Sequence, residues 1–181
     1  SLNISLDKNL LVVLFFGTIT GYNFVKYAGV AGLHHLSLTP GLKLIQVFSF
    51  LSAIALAIAL FKLPLVVLLW GGAFGLLTSL YALPFISRQR NLRNLKGVKI
   101  FVIALVWTGV TVVLPVINKG DGFTWDVFVM IVQRFLFVIA ITIPFEIRDL
   151  KYDAISLGTL PQMIGVRPAK YVGVIFLVTV Y

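Results

Sequence analysis

Uncharged stretches of hydrophobic residues alternate with short polar segments along most of the chain. Four of these stretches contain no Asp, Glu, Lys or Arg, and they cover residues 9–25, 44–61, 63–87 and 100–118. A fifth stretch, residues 127–145, is interrupted only by Gln133 and Arg134. Each stretch approaches or exceeds the roughly 20 residues that cross a bilayer as an α-helix. The pattern predicts a polytopic helical membrane protein.

The polar segments between the stretches set the bounds of the predicted spans. We expect an all-α fold, a single transmembrane helical bundle that covers residues 1–181. Its five full spans lie near 10–26, 42–61, 65–86, 98–117 and 125–145, and a partial span covers 170–181. Because the last run is too short to cross a bilayer, we expect the chain to be part of a longer protein.

The composition supports the same class. Hydrophobic residues make up 60% of the chain and charged residues only 12%, about half the charged fraction of soluble domains. Cysteine is absent, which excludes a disulfide framework and thiol chemistry.

Basic residues are distributed unevenly between the two ends of the predicted bundle. We call side one the end that carries the segments after spans one, three and five, and side two the opposite end. The basic residues of side one are Lys26, Lys43, Arg88, Arg90, Arg93, Lys96, Lys99, Arg148, Lys151, Arg167 and Lys170. Side two carries Lys8, Lys62 and Lys119. The positive-inside rule therefore predicts that side one faces the cytoplasm.

Three carboxylates follow the fifth span on side one: Glu146, Asp149 and Asp153. On a helix their spacing of i, i+3 and i+7 puts them on one face. The three carboxylates repel one another unless a cation lies between them or they stay partly protonated. Mg²⁺ binds a few carboxylates and shares its remaining positions with water and phosphates. The alternative is a solvated helix end whose acids pair with Arg148 and Lys151.

The same stretch resembles a motif of a known family. Residues 146–165 read E-x-x-D-x-x-x-D, then T-L-P and a glycine, which is similar to the second Asp-rich motif of the UbiA superfamily of intramembrane prenyltransferases. Tyr81 and the basic segment after it resemble that family's tyrosine and cationic loop. Asn23 resembles the asparagine that opens the family's first motif. The likeness covers nearly the whole chain in order.

The resemblance implies a cytoplasm-facing cavity in which Mg²⁺ binds the diphosphate of a prenyl donor, whose prenyl group passes to an acceptor. It implies metal binding by Glu146, Asp149 and Asp153, with Asp149 and Asp153 as catalytic residues. The candidate substrate-binding residues are Asn23, Lys26, Tyr81, Arg88, Arg93 and Lys151. The expected partners are a prenyl diphosphate, an acceptor and membrane lipid, and we expect no nucleic acid.

The first motif departs from the family's pattern. Its two aspartates would stand at positions 27 and 31, where this chain has Tyr27 and Ala31. Three interpretations stay open: catalysis with one metal site, with Lys26 contacting the diphosphate; binding of a prenyl lipid without turnover; and a bundle that keeps the motif without using it. A transporter is a further alternative, suggested by Arg134 and by the glycines of span three.

Arg134 and Gln133 are polar residues in the middle of span five. Both are unfavourable in lipid, so we expect both to face the bundle interior. Arg134 either reaches a substrate or binds the carbonyl groups of a neighbouring helix. It lies roughly 22 Å from Asp149 along a straight helix, too far for both to contact one diphosphate.

Overall fold

The computed structural model describes residues 7–27, 40–83, 97–151 and 157–180. Within these ranges every regular element is a helix. The α-helices are α1 (Lys8–Tyr27), α2 (Pro40–Leu60), α3 (Leu65–Ala82), α4 (Val98–Thr108), α5 (Leu114–Lys119), α6 (Trp125–Asp149), α7 (Leu160–Ile164) and α8 (Val166–Val180). A π-helical turn, Gly109–Val113, joins α4 to α5.

In the part of the chain that the structure describes, five helices are long and apolar enough to cross a membrane: α1, α2, α3, the continuous helix 98–119 and α6. They confirm the all-helical class and correspond to the five predicted spans. Several bounds differ from prediction by one to four residues, and two of these differences affect the acidic end of the bundle. Helix α6 continues past residue 145 to Asp149, so two of the acids belong to the helix itself. Helix α8 begins at Val166 rather than 170, because Pro168 lies in its first turn, where a backbone N–H is not needed.

Short connections reverse the chain at the side-two end. Residues 61–64 join α2 to α3, and residues 120–124 join α5 to α6. Gly120 ends α5 with a φ of 76°, a left-handed conformation that glycine adopts without strain. Thr124 begins α6, where its hydroxyl oxygen accepts a hydrogen bond from the Val127 N–H at 3.5 Å. These turns make successive long helices run in opposite directions.

Two separate clusters of buried hydrophobic residues hold the bundle together. The side-two cluster joins α1, α2, α3 and α5 through Leu10, Val13, Ala59, Leu63, Val67 and Leu114. The side-one cluster joins α4, α6 and α8 through Ile100, Ala104, Val138, Ile139, Ile143 and Ala169. The side-one cluster lies immediately before the acidic end of α6, so packing of α4 and α8 fixes the direction in which that end points.

The helix 98–119 contains the π-helical turn at its middle. The Leu114 N–H donates to the Gly109 carbonyl, and Pro115, in the next position, has no N–H to donate. Gly109 is buried against α3, and a Cβ atom there would overlap the ring of Phe74. Proline and the close approach of α3 thus account for a widened turn, a feature often found near functional sites.

Asp7 connects the beginning of α1 to the end of α5 through hydrogen bonds. Its Oδ1 accepts a hydrogen bond from the Asn9 N–H at 2.8 Å, and its Oδ2 accepts one from the side-chain amide of Asn118 at 2.7 Å. The hydrogen bond from Asn118, followed by that from Asn9, lowers the pKa of the Asp7 carboxyl. The ionised form of Asp7 is therefore the one that stabilises the fold.

We expect Asp7→Ala to lower the free energy of unfolding by about 1–2 kcal/mol, because it removes a helix cap and a link between helices. A group whose pKa is lowered by folding stabilises the protein above its unfolded pKa and loses that effect as pH falls through the folded pKa. Thermal unfolding in detergent should thus show a gap between wild type and variant that closes in acid.

The matched control for Asp7 is Asp121→Ala. Asp121 pairs with Lys119 at 2.9 Å, but both side chains are more than a third exposed, and exposed pairs of this kind stabilise proteins little. Equal losses in the two variants, or a gap between wild type and Asp7→Ala that stays constant with pH, would contradict the assigned role of Asp7.

Candidate functional site at the acidic end of helix α6

Asp149 lies at the last position of α6 and pairs with its neighbour Arg148. The Arg148 Nε donates to Asp149 Oδ1 at 2.8 Å and Nη2 to Oδ2 at 3.3 Å. The Asp149 side chain is 34% exposed and that of Arg148 is 68% exposed. The Arg148 guanidinium also lies 5.3 Å from the ring centroid of Phe145. For Asp149 the structure therefore has the pairing with Arg148 that the sequence offered as the alternative to metal binding.

Glu146 has a different environment, although it lies only one turn earlier. It is 4% exposed, and its Oε2 accepts a hydrogen bond from the Leu160 N–H at 3.2 Å. Leu160 is the first residue of α7. The carboxylate of Glu146 is therefore directed at the beginning of α7 rather than into bulk solvent.

The T-L-P segment forms the short helix α7 against Glu146. Thr159 precedes the helix in an extended conformation, and its N–H donates to the Gln162 side-chain oxygen at 3.0 Å. Gly165 ends the helix with a φ of 88°. Sequence reasoning identified this segment but not the helix. The signal was present, because Thr-x-x-Gln with proline inside the first turn is typical of a helix beginning.

Gly97, the residue before α4, contacts the same segment. The Gly97 N–H donates to the Leu157 carbonyl at 3.2 Å. Gly97 has a φ of 70°, which favours glycine, and a Cβ atom there would lie 3.3 Å from Met163 Cε. Gly97 directly follows residues 84–96, which include Arg88 and Arg93 and lie outside the described residues. Gly97, the first described residue after the basic segment, therefore lies next to the segment that contains α7.

An apolar cleft of about 200 Å³ opens between α4, α6, α7 and α8. Its walls include Ile100, Phe101, Phe135, Ile139, Leu160 and Met163. Leu160 contributes its side chain to this cleft and its N–H to Glu146. Leu160 thus links the Glu146 carboxylate to the apolar cleft. The cleft has room for a short hydrocarbon segment.

The other described candidates also lie at the side-one end. The Asn23 amide donates to Ser49 Oγ of α2 at 2.6 Å, so its hydrogen bond is directed to a neighbouring helix. The exposed Lys26 has its Nζ 5.8 Å from the ring centroid of Tyr22. Tyr81 is 6% exposed near the end of α3. Lys151 is exposed two residues after Asp149.

Magnesium binding can be examined for two of the three predicted ligands. Within residues 7–27, 40–83, 97–151 and 157–180, no three acidic, histidine or cysteine side chains are close enough to hold a metal ion. The predicted set includes Asp153, which lies outside these ranges. Glu146 and Asp149 supply carboxylate oxygens, the donors that Mg²⁺ prefers. The donor chemistry therefore fits, and the three-residue site stays a prediction.

We expect Gln133 and Arg134 both to face the bundle interior, and the structure differs from this expectation at Arg134. Gln133 is half-buried, but Arg134 is exposed. The expectation was wrong for Arg134 because the helices packed against α6 cover a neighbouring face. Both residues line a second cleft, well separated along α6 from the acidic end.

Comparisons with known proteins add no further assignment. No protein-family model matches the chain, and no curated protein or solved structure shows significant similarity to it. The likeness to the UbiA superfamily consequently depends on the motif residues of the sequence alone.

Proposed function

We propose that the chain is the membrane-embedded part of a UbiA-like prenyltransferase, which transfers a prenyl group from a polyprenyl diphosphate to an acceptor with Mg²⁺. The observation that carries the proposal is the position of Glu146. Its buried carboxylate accepts a hydrogen bond from the Leu160 N–H, and Leu160 also lines the apolar cleft. A substrate with a diphosphate head and a hydrocarbon tail requires these two environments side by side.

In this proposal Glu146, Asp149 and Asp153 hold Mg²⁺, which when bound would offset the negative charge of the diphosphate. The chain's own cations on side one, among them Lys26 and Lys151, attract the diphosphate to the same end of the bundle. The pair between Arg148 and Asp149 keeps that carboxylate at the mouth of the site. The apolar cleft orients the first part of the prenyl tail and excludes water from it.

A second candidate function is binding of an isoprenoid diphosphate without turnover. Tyr27 and Ala31 favour it, because they stand where the family's first motif has aspartates. A protein with one acidic motif retains a way to bind the diphosphate but has fewer charges to stabilise its departure. A transporter is a weaker candidate, for which Arg134 is the main feature.

The test compares binding with turnover in the full-length protein. Protein in lipid nanodiscs is mixed with a radiolabelled prenyl diphosphate and a membrane extract as the source of acceptor, with Mg²⁺ or with EDTA. We expect a prenylated product only with Mg²⁺, resolved by chromatography. Calorimetric binding that needs Mg²⁺ but gives no product would support the second candidate. Absence of both binding and product would contradict both.

A further inference from the structure

The second cleft lies in the half of the bundle that faces side two. Arg134 is nine residues after Trp125, or about 14 Å along the helix axis, and fifteen residues before Asp149, or roughly 22 Å. Both distances place its backbone within the hydrocarbon layer, which is about 30 Å thick. Helical side chains lean toward the helix N-terminus, so the first bonds of the Arg134 side chain point toward side two.

The cleft has a volume of about 290 Å³ and combines charged, polar and apolar walls. Its lining residues are Val112, Met130, Gln133, Arg134, Phe137 and Val180. Val112 belongs to the π-helical turn, and the Gln133 amide donates to the Val180 carbonyl at 3.3 Å. The second cleft is therefore formed by α6, the π-helical turn and the end of α8. It shares no lining residue with the apolar cleft that Leu160 lines.

None of the acids that the structure describes pairs with Arg134. Among the described residues, no hydrogen bond or ion pair involves its guanidinium. On side two, Asp7 binds Asn118 and Asp121 binds Lys119. Asp126 shares the helix with Arg134 but lies about 12 Å away along the axis, beyond direct ion-pair distance.

An arginine within the hydrocarbon layer requires an oxyanion partner or access to water. The guanidinium binds phosphate and carboxylate groups through two parallel hydrogen bonds. Apolar walls beside it suit a hydrocarbon chain attached to that oxyanion. We propose that the cleft is a lipid site, in which Arg134 binds the phosphate or carboxylate of an anionic lipid while its chain lies against Met130 and Phe137. This proposal does not depend on the prenyltransferase assignment.

The test measures lipid affinity rather than prenyl transfer. Purified full-length protein in neutral detergent is titrated with phosphatidylglycerol, with oleate and with phosphatidylcholine, and bound lipid is counted by native mass spectrometry. We expect the wild type to prefer either anionic lipid over phosphatidylcholine, and Arg134→Gln to weaken anionic-lipid binding about tenfold or more. A preference for phosphatidylglycerol alone would identify phosphate as the bound group, and a preference for oleate alone would identify carboxylate.

Two further variants distinguish lipid binding in the second cleft from general electrostatic attraction of anionic lipid to the protein. Lys62→Gln removes a positive charge from the same side of the bundle but outside the cleft, and should leave the affinity unchanged. Met130→Trp fills the cleft without altering charge and should weaken binding, so the test remains valid if Arg134→Gln does not fold. The proposal is overturned if Arg134→Gln binds like wild type, if Lys62→Gln is equally impaired, or if Arg134 holds together a protein dimer that the variant dissociates.

Discussion

Asp149→Asn is expected to lower prenyl transfer by about 100-fold or more, in line with the loss of a single charged or polar group that stabilises a reacting anion. The substitution keeps the side-chain volume and removes only the negative charge. Because Asp149 is a third exposed at the end of α6, the fold should tolerate the change. Initial rates of product formation at several Mg²⁺ concentrations give the measurement.

The matched control is Asp126→Asn, the same substitution in the first turn of the same helix. Asp126 is exposed at the opposite end, and its replacement should leave transfer within about twofold, the size of a weak surface effect. Arg148→Gln adds a second comparison, because it releases Asp149 from its salt bridge without removing the carboxylate. If Asp149→Asn retained wild-type activity, or if Asp126→Asn lost as much as Asp149→Asn, the metal-binding role of Asp149 would be wrong.

The second large effect is expected at Glu146, where two substitutions separate packing from charge. Glu146→Ala leaves the Leu160 N–H without its acceptor, at a loss of about 1–3 kcal/mol for a buried group. Glu146→Gln keeps an acceptor oxygen in the same place but removes the charge. We expect only the alanine variant to melt at lower temperature and to exchange the Leu160 amide hydrogen faster. Both variants should lose Mg²⁺-dependent transfer.

Gln162→Ala serves as the control for loosening α7 alone. It removes the acceptor of the Thr159 N–H and leaves every carboxylate in place, so it should reduce stability while the remaining activity keeps its dependence on Mg²⁺. A Glu146→Gln protein with wild-type activity and an unchanged response to Mg²⁺ would show that Glu146 only positions α7.

The helical framework was predictable because a bilayer-spanning helix requires about 20 consecutive apolar residues, which are visible directly in the sequence. Uncharged windows identified the five apolar helices, and their polar flanks gave most bounds to within a few residues. The end of α6 was misjudged since the prediction stopped where hydrophobicity stopped, whereas the helix continues through Glu146 and Asp149. The π-helical turn was missed because it depends on Phe74 pressing against Gly109, a contact between residues distant in the chain.

The candidate site was predictable in its location but not in its internal contacts. Spacing placed Glu146 and Asp149 on one helical face, yet Glu146 is buried and the Asp149 side chain is a third exposed, because α7 covers only part of that face. No local pattern could show that Asn23 would bind Ser49, 26 positions away. The same limit applies to Arg134, whose exposure depends on which helices pack beside α6.

The helix 98–119 belongs to both buried clusters, and this has a consequence for synthesis on the ribosome. Leu114 completes the cluster formed by the first three helices, so those three cannot finish their association until the fourth apolar segment has been translated. The same segment then presents Ile100 and Ala104 to the later helices. Its arrival in the bilayer is therefore the step at which early and late parts of the nascent chain become one unit.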